Sequence, residues 1–367
     1  MGLIESVFDL TYLLCVTGLG VRLLIEKDKN AKLFGFMAII LGTGDAFHLI
    51  PRIISHLSPG GFEAHRLALS YGKMITGITM TIFYLLFYFY YREITRDKDN
   101  YKKWMILGLA TIRIVLILLV QNNWSAGGSC KMGIIRNIPF LIMGMLLMIF
   151  SYRKKHYDGL KHMSFLIFLS FLFYVPVVVL IDKVPAIGAF MIPKTVAYIL
   201  IVVEGFKHFI KDFDSENLFN MAITYAIMGL CGGVFYREFT KYYKFTQATH
   251  LGKLHVHTLV LGMALMSLFY ILTKKIDKSE LKKLKKPLNI YNFGLIFTIT
   301  NMMLIGIYEV VSNGVSTVSS AAMDGISGIG HIFLGVGLVY TLIMIKKLTN
   351  ENDSRSEETL KRLSKTC

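Results

Sequence analysis

The sequence predicts an all-α, polytopic integral membrane protein of about eleven transmembrane helices. Three observations carry that prediction. Eleven apolar stretches of spanning length fill almost the whole chain, only 17% of the residues are charged against 54% hydrophobic, and the basic residues concentrate in alternate loops. Soluble domains carry about 25% charged residues, so the composition excludes a soluble enzyme.

A hydrocarbon core of ~30 Å is crossed by ~20 helical residues, and each stretch meets that length in turn. Residues 3–24 form the first span. It opens without a basic n-region, carries Glu5 and Asp9, and is followed by the basic run Lys27–Lys32, so it reads as a retained anchor and not as a cleavable signal. The second, 33–51, ends at Pro51-Arg52; the third, 67–91, carries Lys73; the fourth, 104–122, carries Arg113. Residues 137–152 and 162–181 contain no Lys, Arg, Asp or Glu, and 187–206 places Lys194 just after Pro193. The polar stretch Lys211–Asn217 looks like a helix start, with Asp214 or Ser215 as N-cap and Glu216 at the positive end of the helix. It divides the chain into a seven-helix module, 1–212, and a four-helix module, 213–347, whose spans are 216–236, 252–273, 288–310 and 325–345. The polar tail, 348–367, predicts a short cytoplasmic helix or a disordered end.

Threading the spans alternately, and counting Arg22 and Lys253 at the span ends with their adjoining loops, puts 28 Lys and Arg in one set of loops and 9 in the other, with Lys73, Arg113 and Lys194 inside spans. The positive-inside rule then expects the N-terminus outside and the C-terminus in the cytoplasm of a multi-pass protein of the cell membrane. The formal charge of +16 sits in short inner loops such as Lys282-Lys283-Leu284-Lys285-Lys286. Orientation and attraction to anionic membrane lipids explain it without nucleic acid. Four scattered cysteines, Cys15, Cys130, Cys231 and Cys367, form neither a zinc pattern nor a disulfide framework.

The closing third contains His255-Val256-His257-Thr258-Leu259-Val260-Leu261-Gly262 and Gly325-Ile326-Ser327-Gly328-Ile329-Gly330-His331. On those residues it resembles an uncharacterised family of bacterial four-helix membrane proteins, which implies the helical fold, a bacterial cytoplasmic membrane and no particular activity. The combination of histidine and glycine is also similar to the haem-bearing helices of bacterial respiratory and haem-handling membrane proteins. Depth sharpens the expectation. Spans nine and eleven both enter from the outer side, which puts His257 and His331 at one depth, each about a turn and a half in. Facing imidazoles across a helical bundle are what bis-His ligation of haem b requires. Two residues of helix rotate a side chain by about 200°, so only one of His255 and His257 faces the iron, and the other is placed for a supporting or propionate contact. His250, seven residues before His257, lies on the same face, and Arg237 offers a cation to a propionate. The alternative is that the glycines serve helix packing and the histidines bond within the bundle.

In the seven-helix module, Asp45, His48 and Arg52 follow i, i+3, i+7 spacing and share one helix face. With Lys73, Arg113 and Lys194 they are expected to converge on a polar outer cavity, because buried charges avoid lipid. His48 with the loop residues His56 and His65 offers a metal site, while His156, His162 and His208, in basic inner loops, are expected to be solvated. The expected function is haem binding near the outer face of the four-helix module, for sequestration, sensing or b-type electron transfer. No P-loop, dinucleotide fingerprint or CxxCH is present, so the redox partner of such a protein is a quinone or another protein, and homo-oligomerisation is compatible with the pattern. Two alternatives stand beside it: a transporter or channel using the charged cluster for an anionic substrate, and a metal-dependent intramembrane hydrolase using Asp45 and His48.

Overall fold

The structure is a computed structural model that describes residues 2–181, 183–211, 213–312 and 320–366. Among them ten helices are long and apolar enough to cross a membrane, and a bent pair raises the number to eleven. The expected all-α, polytopic class is therefore what is observed. The chain packs as two compact units, Met1–Ile210 and Lys211–Cys367.

The first unit is built from α1 (Gly2–Leu24), α2 (Lys29–Leu57), α3 (Arg66–Thr95), α4 (Asn100–Leu118), α5 (Cys130–Arg153), α6 (Met163–Leu180) and α7 (Met191–Phe209). Each packs on the next and α7 returns to α1, which closes a ring of seven. Glycine sets how near the backbones come: a Cβ at Gly35 would stand 2.9 Å from the Leu24 nitrogen on α1, and one at Gly72 would collide with the Phe47 carbonyl on α2. Inside the ring the core is aromatic, with Tyr12, Phe34, Tyr84, Tyr90 and Tyr198 essentially inaccessible. A buried phenol has to find a partner, and Tyr84 meets Ser170 at 3.0 Å.

α4 is the irregular span, bending by 65° into Val120–Ala126. Carbonyls freed by such a break are tolerated at membrane depth only when protein satisfies them. Asn122 does so, its Nδ2 donating to Leu116, Ile117 and Leu119 at 2.7, 3.1 and 2.9 Å, and the Trp124 indole adds a bond to Ile117 at 3.0 Å. Arg136 locks the group by donating to Asn122 Oδ1 at 2.6 Å while lying over the Trp124 ring.

The second unit contains α8 (Ser215–Tyr242), α9 (His250–Thr273), α10 (Lys285–Val311) and α11 (Ser320–Thr366). Asp214 is the N-cap of α8, accepting from the Asn217 amide at 3.1 Å. α9 lies against α8 and α10, and α10 against α11. Close approach again falls on glycine: a Cβ at Gly294 would collide with Leu334, and one at Gly337 with Tyr291. The second half of α9 also touches α11. Within α9, Thr258–Ala264 is a π-helical turn placed directly after His257, a rare geometry that recurs at functional sites. α11 does not stop at the end of its apolar stretch but continues as one helix of 47 residues.

Candidate functional site

Two groups of polar side chains stand out, one in each unit. In the first unit, α1, α2 and α7 enclose a cavity of about 40 Å³ lined by Glu5, Asp9, Asp45, His48, Arg52 and Lys194 among others. Room for one water on that measure is about 10–15 Å³, so the cavity accommodates a few. The 3.6-residue repeat of α2 brings Asp45, His48 and Arg52 to this wall together, as their spacing predicts. Asp45 is buried and its Oδ2 accepts from Tyr12 Oη at 2.6 Å. Lys194, also buried, faces it electrostatically, with Nζ 5.0 Å from the centres of both the Tyr174 and the Tyr198 rings. Arg52 is ion-paired with Glu5, and His56 Nε2 lies 3.3 Å from the other oxygen of the same carboxylate.

Glu5 and Asp9 complete the wall from α1. They are the members the sequence reading used only to reject a signal peptide, although their i, i+4 spacing on a membrane span was the available signal. Lys73 and Arg113 do not line the cavity. Gly72 seats α3 against the backbone of Phe47 and His48, so Lys73, one residue and about 100° further round, is turned to an exposed position. Arg113 is buried elsewhere in the unit, its guanidinium carbon 3.3 Å from the centre of the Phe140 ring and one nitrogen 3.4 Å from Asn137 Oδ1. The expected six-residue convergence thus resolves into Asp45, His48, Arg52 and Lys194 with two added carboxylates. Among the described residues no group of three or more His, Cys, Asp or Glu is arranged to hold a bare metal ion.

In the second unit, His257 and His331 share one hydrogen-bond arrangement. Nδ1 of His257 meets the Lys253 carbonyl at 2.9 Å, and Nδ1 of His331 meets the Ser327 carbonyl at 2.8 Å, each one turn back along its own helix. A carbonyl only accepts, so both rings carry the proton on Nδ1, and the neutral ring keeps its lone pair on Nε2. Two residues before His257, His255 lies on the opposite side of α9 and approaches α8 at Gly233, where an added Cβ would stand 3.6 Å from the His255 Cβ. On α11, Gly330 packs against Thr298 of α10, and His331 stands at the edge of that strip. Gly328 and Gly335, each about a turn from His331, have nothing within 4 Å of where a Cβ would be.

Residues 216–348 match the family described as Protein of unknown function (DUF2871). No curated protein and no solved structure matches the chain. The DUF2871 segment runs from the first turn of α8 to the part of α11 beyond His331, so all four of its histidines, His250, His255, His257 and His331, lie inside the match. Two of its other candidates stand apart from these rings. His250 is committed to Glu309, with Nδ1 at 2.6 Å and its backbone N–H donating at 2.8 Å, while Thr249 Oγ1 donates to the same carboxylate at 2.9 Å. Those bonds fasten the start of α9 to α10. Arg237 is exposed and 3.7 Å from Glu238. Outside the segment, His162 is exposed as expected and lies 2.5 Å from Glu204, whereas His208, also expected in solvent, is largely covered and lies 3.4 Å from Asp158.

Proposed function

We propose that the four-helix unit is a haem-binding module that holds haem b between α9 and α11, with His257 and His331 as axial ligands. The observation that carries this reading is the matched state of the two rings: each donates from Nδ1 to its own helix and so keeps the Nε2 lone pair that iron needs. Helix geometry favours the same pair. His257 lies about 160° round α9 from His255, away from α8 and on the flank shared with His250, which meets α10. His331 borders the α10 contact from the α11 side, so both rings sit at the margins of surfaces packed on one helix. The open space at Gly328 and Gly335 gives a flat macrocycle room beside His331. The bound group would supply one-electron chemistry or simply be held; the task is haem storage, sensing or passage of electrons to a quinone or a protein partner. Localisation in a bacterial cytoplasmic membrane belongs to the same proposal.

Absorption spectra of the full chain, purified after haem supplementation, test it. The expected result is a low-spin b-type Soret and α-band pattern that becomes high-spin or disappears in His257→Ala and in His331→Ala. His255→Ala and His156→Ala leave the spectrum unchanged. Protein that stays colourless and shows no spectral change on titration with haem overturns the proposal, as does a low-spin spectrum that survives both critical replacements.

A further inference from the structure

The cavity of the first unit contains a buried carboxylate oxygen with no hydrogen-bond partner. Three acidic groups line it, Glu5, Asp9 and Asp45, against two basic side chains, Arg52 and Lys194. Both are engaged. Arg52 is paired with Glu5 at the end of the cavity near the start of α1, and Lys194 faces Asp45 at the other, where Tyr12 also donates to the carboxylate. Asp9 lies between them with 6% of its surface accessible, and its Oδ2 has no hydrogen-bond partner. An ionised carboxylate buried without a partner is among the most expensive arrangements a protein can hold, and in practice the group takes up a proton.

The placement of Asp9 gives that proton a route. Asp9 is seven residues from Gly2, about 10 Å along α1, and Glu5 lies one turn nearer the helix start on the same face. Glu5 in turn touches Arg52 and His56 of α2. The groups facing Asp9 are therefore Glu5 on its own helix, Asp45, His48 and Arg52 on α2, and Lys194 on α7, with Lys73 of α3 acting on His48. The chain of titratable side chains runs from the end of α1 to a small cavity with room for a few waters. That is the construction by which carboxylates and histidines pass protons in membranes. A metal cation would have to displace the guanidinium and ammonium groups already in place.

We propose that this cavity is a proton-binding site in which Asp9 carries the proton and exchanges it through Glu5 and His56 at the end of the unit where α1 begins. The proposal stands independently of the haem reading, because every group it uses lies in the other unit.

Infrared difference spectroscopy of the full chain in detergent, titrated from acid to alkaline pH, reads it directly. The expected result is a protonated-carboxyl C=O band that is lost as the pH rises, that moves to lower frequency when the protein is made with ¹³C-aspartate, and that is missing in Asp9→Asn. The isotope arm assigns the band to an aspartate, and Asp9→Glu, which keeps a carboxyl at that position but makes its band insensitive to ¹³C-aspartate, assigns it to Asp9 where Asp9→Asn fails to fold. Lys73→Met keeps the band. Replacing choline chloride by sodium chloride at constant pH separates a proton site from a cation site. The absence of a band at any pH, a band insensitive to ¹³C-aspartate, a band that survives Asp9→Asn, or its bleaching by sodium would each overturn the proposal.

Discussion

Asp45 accepts from a phenol at 2.6 Å and shares the cavity wall with Lys194, whose charge acts on it from beyond ion-pair distance, and the two opposite charges make a prediction. Removing one of two opposite buried charges leaves the other uncompensated, at a cost of up to the roughly 3–5 kcal/mol of a contact pair, whereas removing both is far milder. Lys194→Met should therefore lower thermal stability in detergent strongly, and Asp45→Asn added to it should restore a substantial part. Lys73→Met in an Asp45→Asn background should restore nothing, since Lys73 is exposed and not part of the cavity wall. A double replacement as damaging as the sum of the singles would show that Asp45 and Lys194 are not partners. The i, i+3, i+7 spacing on α2 made half of this wall legible in the sequence, because helical periodicity alone brings those side chains together. Depth did not suffice for Lys73: it says how far a residue lies along a span and nothing of which way it points, and that was decided by the contact of Gly72 with α2. The tautomers of His257 and His331 were equally invisible, since they follow from bonds to carbonyls one turn back.

The turn between α3 and α4 shows how a short element is stabilised where it leaves the apolar region. Arg96 adopts φ 52°, and the Arg92 guanidinium donates to the Asp97 carbonyl at 2.9 Å. The Asp97 carboxylate accepts from Lys102 at 2.7 Å and from the Asp99 amide at 2.9 Å, while Asp99 caps α4 through the Tyr101 amide at 2.9 Å. Burial pushes the Asp97 carboxyl up, but the Lys102 and Asp99 bonds outweigh it and hold the group below its ordinary value. A carboxyl lowered on folding contributes stability above its unfolded value, about 3.9, and loses it as the pH falls through the folded one. Asp97→Asn should therefore destabilise the protein at pH 7 by about 1.5–3 kcal/mol, the usual worth of hydrogen bonds to a charged group. The difference in melting temperature from the parent should shrink as the pH falls below the unfolded value and through the lowered folded one. A gap that persists in acid would assign the effect to packing and not to charge. The existence of both helices was readable from hydropathy; the 65° break after Leu118 and the π turn after His257 were not. The first depends on Asn122 finding three carbonyls, and neither alters the apolar pattern.

At the scale of the molecule, hydropathy predicted the number of spans well because a bilayer leaves so few choices: a segment must close its own hydrogen bonds and be about 20 residues long. Orientation rests on loop charge alone. Single-cysteine labelling on a cysteine-free background should find positions near Asn100 and Ser279 cytoplasmic and a position near Gly60 outside; the reverse pattern would invert the threading and put His257 and His331 in the inner leaflet. Of the two expectations for the polar tail, a short helix or a disordered end, the helix is what is observed, and it is continuous with the last span: α11 runs from Ser320 to Thr366, which at 1.5 Å per residue is about 70 Å, more than twice the ~30 Å of a hydrocarbon core. His331 lies near one end of that rod, and about 50 Å of helix follows it. A tilt of about 5° pivoting at His331 would swing the far end by roughly 4–5 Å. Any tilt of the segment that bears that ring is carried by one continuous helix through the rest of the span and into the polar stretch after Lys347.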